Sequence, residues 1–170
     1  MPTGGHASRC SDLRLALNRF VWKGGAPMAG LLALMVAALF TGAAIYVNVA
    51  EHPARFTLDD RALLTEWKPS YKRGAAMQAS LALVGFILGI IAWWQDPHPG
   101  FLIGAIAIIA PWPWTLLVIK PVNDALLATA PEQAGPQSRT LLVRWGSLHA
   151  VRSALGALAS LAFLVACLPR

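Results

Sequence analysis

The sequence predicts an all-α fold, an integral membrane four-helix bundle. Three observations predict it. Four apolar runs of membrane-spanning length stand along the 170 residues. Only 13% of the residues are charged, about half the fraction usual in a soluble domain. The seven tryptophans gather near the ends of the apolar runs, where amphipathic rings favour the membrane–water boundary. The length suits one domain. A net charge of +6 raises nucleic acid as a partner, but the apolar runs argue against it and anionic lipid headgroups are the simpler match. Cys10 and Cys167 fit no metal-ligand spacing, demand no disulfide and leave the redox compartment open.

Residues 1–26 form a basic tail with Arg9, Arg14, Arg19 and Lys23. Leu13, Leu15, Leu17, Phe20 and Val21 suggest a short interfacial helix within it. The apolar run that follows is long and lacks a polar cleavage context, so it reads as a retained span rather than a signal peptide. The rest, 27–170, is the membrane domain.

The first span covers about 27–50, which at 1.5 Å per residue is enough to cross a bilayer. Gly30, Ala33, Ala37, Gly42 and Ala44 make it rich in small residues, so neighbours can approach closely. It ends in Asn48, Glu51, His52 and Arg55, spaced as one helical stripe. Pro53 is expected to kink or stop the helix there. Residues 56–72 read as a polar connection with a short surface helix around Leu58–Leu64, followed by Trp67-Lys-Pro-Ser-Tyr71-Lys-Arg73.

The second span covers about 74–94, with Gly85 and Gly89 as a close-packing pair and Gln78 as its one strongly polar interior residue. Gln95–Gly100 is a tight turn. The third span, about 101–120, is interrupted by Pro111 and Pro113, which neighbouring helices tolerate in a membrane. It ends in Lys120-Pro121-Val-Asn123-Asp124. Residues 128–140 read as loop, and the fourth span covers about 145–168. There Trp145, His149 and Arg152 form a stripe at i, i+4 and i+7. A histidine and an arginine near the start of a membrane helix cost too much to face lipid, so they face protein, water or a ligand.

Alternating spans place the end of the first, the start of the second, the end of the third and the start of the fourth on one side. Nearly every intramembrane polar residue lies at those four places. His52-Pro53 and Lys120-Pro121 end corresponding helices of the two hairpins, a parallel that internal duplication and coincidence explain equally well. Lysine and arginine counts favour this polar side as cytoplasmic, whereas the basic tail directly before the first span favours a cytoplasmic N-terminus; the second placement is adopted.

Three readings fit the polar end. In the first, Glu51 and Asp124 pair with Arg152, Arg73 or Lys120 and merely fix the bundle's register. In the second it is an enzyme site with an apolar, aromatic floor for a flat lipophilic substrate. His149 is the base, Arg152 holds an oxyanion or phenolate, and Glu51 or Asp124 orients the imidazole. His52 belongs to the same catalytic set. Asn48, Tyr71, Arg73, Gln78, Lys120, Asn123 and Trp145 are the substrate-binding candidates. In the third, His52 and His149 with Glu51 or Asp124 supply the composition of a two-histidine, one-carboxylate metal site, or a haem ligand. No local motif supports it, and the enzyme reading requires no cofactor. His6 and His98 receive no role, and Tyr46 is assigned to core packing.

The residues also carry a resemblance. Gly-Ala-Ala-Ile-Tyr-Val-Asn-Val-Ala-Glu-His-Pro-Ala-Arg (42–55) resembles the first-helix signature of the anthrone oxygenase-like family of small four-helix membrane proteins. Trp67–Arg73, Pro113–Asn123 and Arg144–Arg152 are similar to its later blocks, in the same order. Together they cover about residues 29–167. The resemblance implies a membrane-embedded protein and, for some members, oxygenation of an anthrone to an anthraquinone by dioxygen. The matching residues here are Asn48, Glu51, His52, Pro53, Trp67, Tyr71, Pro121, Asn123, Trp145, His149 and Arg152. Lys120 departs from the usual apolar residue and puts the cavity's ligand in doubt.

The expectation is a multi-pass protein of the cell membrane, an oxygenase-like oxidoreductase acting on a lipophilic aromatic or quinol-like substrate. The alternative is a non-catalytic accessory or binding protein. A carrier is disfavoured because Glu51 and Asp124 are terminal rather than mid-span. Oligomeric state is not legible.

Overall fold

The computed structural model describes residues 26–169. The basic tail, its expected interfacial helix and Cys10 lie outside them. The regular structure of the described residues is helical throughout. Four helices are long and apolar enough to cross a membrane: α1 (Met28–Arg55), α2 (Asp60–Gln95), α3 (Pro99–Ala128) and α4 (Pro136–Cys167). Each packs against its neighbours in sequence, and α4 returns to α1 to close the bundle.

Packing, rather than hydrophobic contrast with lipid, holds helices together in a bilayer. The membrane core shows how. Buried alanines, among them Ala33, Ala37, Ala82, Ala105 and Ala159, bring the backbones together. Three phenylalanines fill notches left by glycines. A Cβ on Gly30 would lie 2.6 Å from the Phe101 ring, one on Gly104 2.5 Å from Phe163, and one on Gly156 2.8 Å from Phe40. Gly89 gives Phe163 its other wall.

The helices outrun the apolar runs. The expected connection 56–72 shrinks to the few residues between Arg55 and Asp60. What read as a separate surface helix and linker forms the first turns of α2, with Pro69 inside the helix and Asp59 capping it through Ala62 N at 2.9 Å. Likewise α4 begins at Pro136, and the expected loop narrows to one 3-10 turn at Pro131–Gln133. The reason is a second core beyond the apolar runs. Leu63, Leu64, Trp67, Val122, Leu126, Leu142 and Trp145 bury against one another there, and only continued helices can present them on one side. Cations seal the helix ends, as the helix dipole favours. Arg139 donates to Phe56 O and Leu58 O and pairs with Asp60. Lys68 donates to Leu127 O at 3.0 Å and Thr129 O at 2.5 Å.

Pro53 does not stop α1. Residues Val47–Glu51 widen into a π turn, and the helix continues to Arg55. The third helix does the same at Thr115–Ile119, just before Lys120-Pro121. Proline lacks the N–H that the carbonyl one turn back would accept, and its ring crowds that carbonyl. A wider turn makes room and lets the helix resume. The parallel between His52-Pro53 and Lys120-Pro121 is therefore also a parallel of backbone. At the opposite end His98 caps α3, its Nδ1 accepting from Gly100 N at 3.1 Å.

Candidate functional site

Between the two cores lies a cavity of about 760 Å³. Its walls come from all four helices: Gly42 to Arg55 of α1, Glu66 to Gln78 of α2, Ile119 and Asn123 of α3, and Trp145, His149 and Arg152 of α4. The four polar helix ends that the sequence assigned to one side do meet there.

His149 is 5% exposed and stacks on Trp145 at 4.9 Å between ring centroids. Its Nδ1 lies 2.9 Å from Asn48 Oδ1. Asn48 Nδ2 donates to the Gly146 carbonyl at 3.0 Å, which fixes the amide's orientation. Asn48 Oδ1 therefore accepts, from Ser153 Oγ at 2.8 Å and from the imidazole. The neutral ring must carry its proton on Nδ1. Nε2 keeps its lone pair and has no hydrogen-bond partner among the described residues.

One turn further along α4, the Arg152 guanidinium is 8% exposed. It donates to Thr115 Oγ1 at 3.1 Å and Gln78 Oε1 at 2.8 Å and sits over the Phe40 ring at 5.9 Å. All three partners are neutral, and none of the ion pairs among the described residues involves Arg152. Its Nε is buried without a partner. A buried cation that has only neutral neighbours is set up to receive an anion. Each π turn supplies a grip on α4: Asn48 of the first holds His149, and Thr115 of the second holds Arg152.

A second donor faces the cavity. Trp145 Nε1 donates to Asn123 Oδ1 at 2.9 Å, and Asn123 Nδ2 donates to Tyr71 Oη at 3.0 Å. Tyr71 thus accepts from Asn123 and keeps its own proton to offer. Its ring lies flat on Trp67 at 4.9 Å, and Trp67 meets Trp145 edge-on at 5.8 Å. Tyr71, Trp145 and His149 form the aromatic wall of the cavity, and Trp67 backs it.

Several candidates stand elsewhere. Arg55 pairs with both Glu51 and Glu66 and donates to Ser70 at 3.0 Å; Ser70 donates in turn to Glu51. This knot ties α1 to α2 at the outer end of the cavity, so Glu51 serves a guanidinium and not an imidazole. His52 lies behind the wall. Its Nε2 donates to Leu142 O at 3.0 Å, and its ring packs against Phe56 and Trp145. Gly146 makes room for it, since a Cβ there would lie 2.5 Å from His52 Nε2. Lys120 and Asp124 pair with each other at 2.6 Å on the exposed surface and do not reach the cavity. Asn48 acts from behind His149, Gln78 positions Arg152, and Arg73 stands at the exposed rim. The carboxylate expected to orient the imidazole is replaced by the Asn48 amide.

These directions also decide the metal set. His52, His149, Glu51 and Asp124 address Leu142, Asn48, Arg55 and Lys120. Among the described residues no three histidines, cysteines or carboxylates come together as a ligand set. The residues present do not fit the two-histidine, one-carboxylate site.

Sequence reading missed four contributors. Tyr46, expected in the core, is 60% exposed and lines the cavity. Glu66 and Ser70 fall in the stretch read as a connection, yet their i, i+4 spacing mirrors Glu51 and Arg55 opposite. Thr115 was hidden in an apolar run; a lone hydroxyl close to a proline was its signal.

Four helices long and apolar enough to cross a membrane, with a cavity at one end that sets the His149 imidazole and a guanidinium without an ion pair among the described residues on one helix face, define the class: a small helical bundle of membrane-protein type. The chain belongs to the anthrone oxygenase family. The family's sequence model, described as anthrone oxygenase, matches residues 67–162. Anthrone oxygenase tpcL of Aspergillus fumigatus is 31% identical over 131 residues, covering 71% of this chain and 81% of that protein. Anthrone oxygenase ptaC of Pestalotiopsis fici is 33% identical over 105 residues, covering 54% of this chain and 74% of that protein. No solved structure matches the chain.

Proposed function

We propose that the protein is an oxidoreductase of the cell membrane that oxygenates a lipophilic aromatic substrate of the anthrone or quinol type. The observation that carries this reading is the pairing, on one helix face, of a base whose Nε2 has no hydrogen-bond partner and a buried guanidinium that has no counter-ion among the described residues.

For an anthrone the chemistry is as follows. His149 Nε2 takes a proton from the ring methylene. The electron pair moves into the ring and onto the carbonyl oxygen, giving a phenolate-like anion that Arg152 and the Tyr71 hydroxyl stabilise. Dioxygen is the oxidant. It accepts electrons from this carbanion and forms a carbon–oxygen bond, and the imidazolium returns its proton to the resulting peroxide. Loss of the second methylene proton to His149 breaks the oxygen–oxygen bond. One oxygen stays as the new carbonyl, and the other leaves as water with the two protons. The substrate supplies every electron. The Asn48 amide keeps the imidazole in the tautomer that can act, and the aromatic side chains of Tyr71, Trp145 and His149 line the cavity that would take a ring system.

The test is oxygen uptake by protein in lipid vesicles with a panel of anthrones and quinols. Wild type should consume dioxygen and His149→Ala should not. Coincident traces from the two would overturn the proposal.

A further inference from the structure

We infer that the cavity takes its ligand sideways, out of the lipid phase, through a window between α1 and α2 framed by Gly42 and Gly74. The inference rests on the reading of the cavity as a site for a lipophilic ring system.

The glycines carry it. Most helical glycines among the described residues face a close partner: a Cβ at Gly30, Gly89, Gly100, Gly104, Gly146 or Gly156 would lie 2.5–2.8 Å from another atom. Gly42 and Gly74 are different. A Cβ at either would meet nothing within 4 Å, and both residues line the cavity. They are not packing notches, so their smallness leaves open space.

The register of the two helices places that space. Arg55 pairs with Glu66 and Glu51 with Ser70 at one end, and at the other a Cβ on Gly85 would lie 3.4 Å from Val36 Cγ1. Antiparallel helices stepped in this way bring residues 42–47 level with residues 74–79. No hydrogen bond or ion pair joins α1 to α2 in that interval among the described residues. The gap is closed by cross-links at its outer end and by packing at its inner end. Its flanks are Tyr46, 60% exposed, and Met77, 51% exposed. An amphipathic ring and a pliable thioether suit a lipid-facing rim.

Inside the window stands the polar group that a ligand would answer. Arg152, more than nine-tenths buried and with an unpartnered Nε, lines the same cavity. A membrane-dissolved, planar molecule with one acidic phenol or enol would enter edge-first between two backbones and bring its oxygen to this guanidinium. The Arg55–Glu51–Glu66 knot stands across the aqueous end, so the hydrocarbon side offers the freer path.

Two measurements on the full chain in lipid vesicles test this without requiring turnover. The first follows quenching of protein tryptophan fluorescence by 1,8-dihydroxyanthraquinone dissolved in the bilayer, read by stopped flow. Gly42→Phe and Gly74→Phe should slow association about tenfold or more, while Gly42→Ala and Gly74→Ala, which add one methyl to open space, should associate at the wild-type rate. The second replaces Cys10 and Cys167 by serine and introduces Gly42→Cys or Gly74→Cys. A bilayer-soluble pyrene maleimide should label these thiols at least about tenfold faster than a charged, membrane-impermeant maleimide added on both sides. Equal labelling by the two maleimides, or unchanged association in both phenylalanine variants, would overturn the window. Slow oxygen uptake by a wild type that passes both measurements would instead count against the oxygenase chemistry alone.

Discussion

Arg152→Met separates an anion-binding arginine from a merely structural one, because the two roles move stability and activity in opposite ways. The side chain is buried, its donors go to Thr115 and Gln78, and no carboxylate neutralises it among the described residues. Holding an arginine inside a membrane helix costs about 2.5–3.5 kcal/mol on insertion scales. Methionine regains that cost and still packs on Phe40. Against this, Gln78 Oε1 loses its donor, which costs about 1–3 kcal/mol for a buried acceptor. The two nearly cancel, so thermal unfolding in detergent should be unchanged or shifted slightly upward. Activity should behave otherwise. Losing one donor aimed at a developing oxyanion costs about 2.7–4 kcal/mol, or a 10²–10³-fold fall in kcat. Oxygen uptake and a melting curve on the same preparation decide the matter. A large fall in the melting temperature with a proportionate loss of activity would refute the reasoning and make Arg152 a pin.

Other expectations follow from the same geometry. Asn48→Leu removes the acceptor that holds the Nδ1 proton of His149 and should lower kcat about 10²-fold, within the range for misplacing a general base, with the fold intact by circular dichroism. Gly146→Ala drives a Cβ into His52 and should destabilise by about 1–3 kcal/mol; His52→Ala in the same chain should recover part of that loss, a non-additivity that melting curves will detect. Arg55→Met strips Glu51 and Glu66 of their shared cation and should cost about 1–3 kcal/mol, below the range for a fully buried pair because the two carboxylates it leaves are 24% and 42% exposed, while Glu51→Gln should cost less. Pro53→Ala restores an N–H and removes the crowding that opens the first π turn; activity should fall as Asn48 rotates away from His149, with stability unchanged or raised.

The helices were legible because the bilayer imposes a simple demand, a run of about twenty apolar residues. Their ends were not. Residues 60–73 carry charge, proline and serine and look like a linker, yet Leu63, Leu64 and Trp67 are buried by partners on α3 and α4 that no local pattern reveals. The α4 stripe of Trp145, His149 and Arg152 was legible because a charge in a membrane helix has few places to point. The stripe at the end of α1 was less so. Its four residues share one side of the helix but divide between two neighbours: Asn48 and His52 turn to α4, and Glu51 and Arg55 to α2. Lys120 and Asp124 looked like site residues because they follow the same proline signal. An i, i+4 pair can satisfy itself on the surface, and theirs does.

The π turns have a consequence for how such a chain can change by inheritance. A π turn is an α-helix with one residue too many, held in place by its surroundings. Loss of a single codon within 47–51 would remove that surplus and leave α1 a regular helix. At 3.6 residues per turn, the wide turn already takes up the roughly 100° that its extra residue would add, so the turns on either side would keep nearly the facing they have now. Tyr46, Gly42 and Arg55 would stay at the cavity, and the change would fall on the bulge itself, where Asn48 reaches His149. A single-residue gap at either bulge would therefore spare the outline of the pocket and strike its grip on α4, Asn48 on His149 or Thr115 on Arg152, so chains of this architecture that differ in length there can share a cavity and differ in what it does.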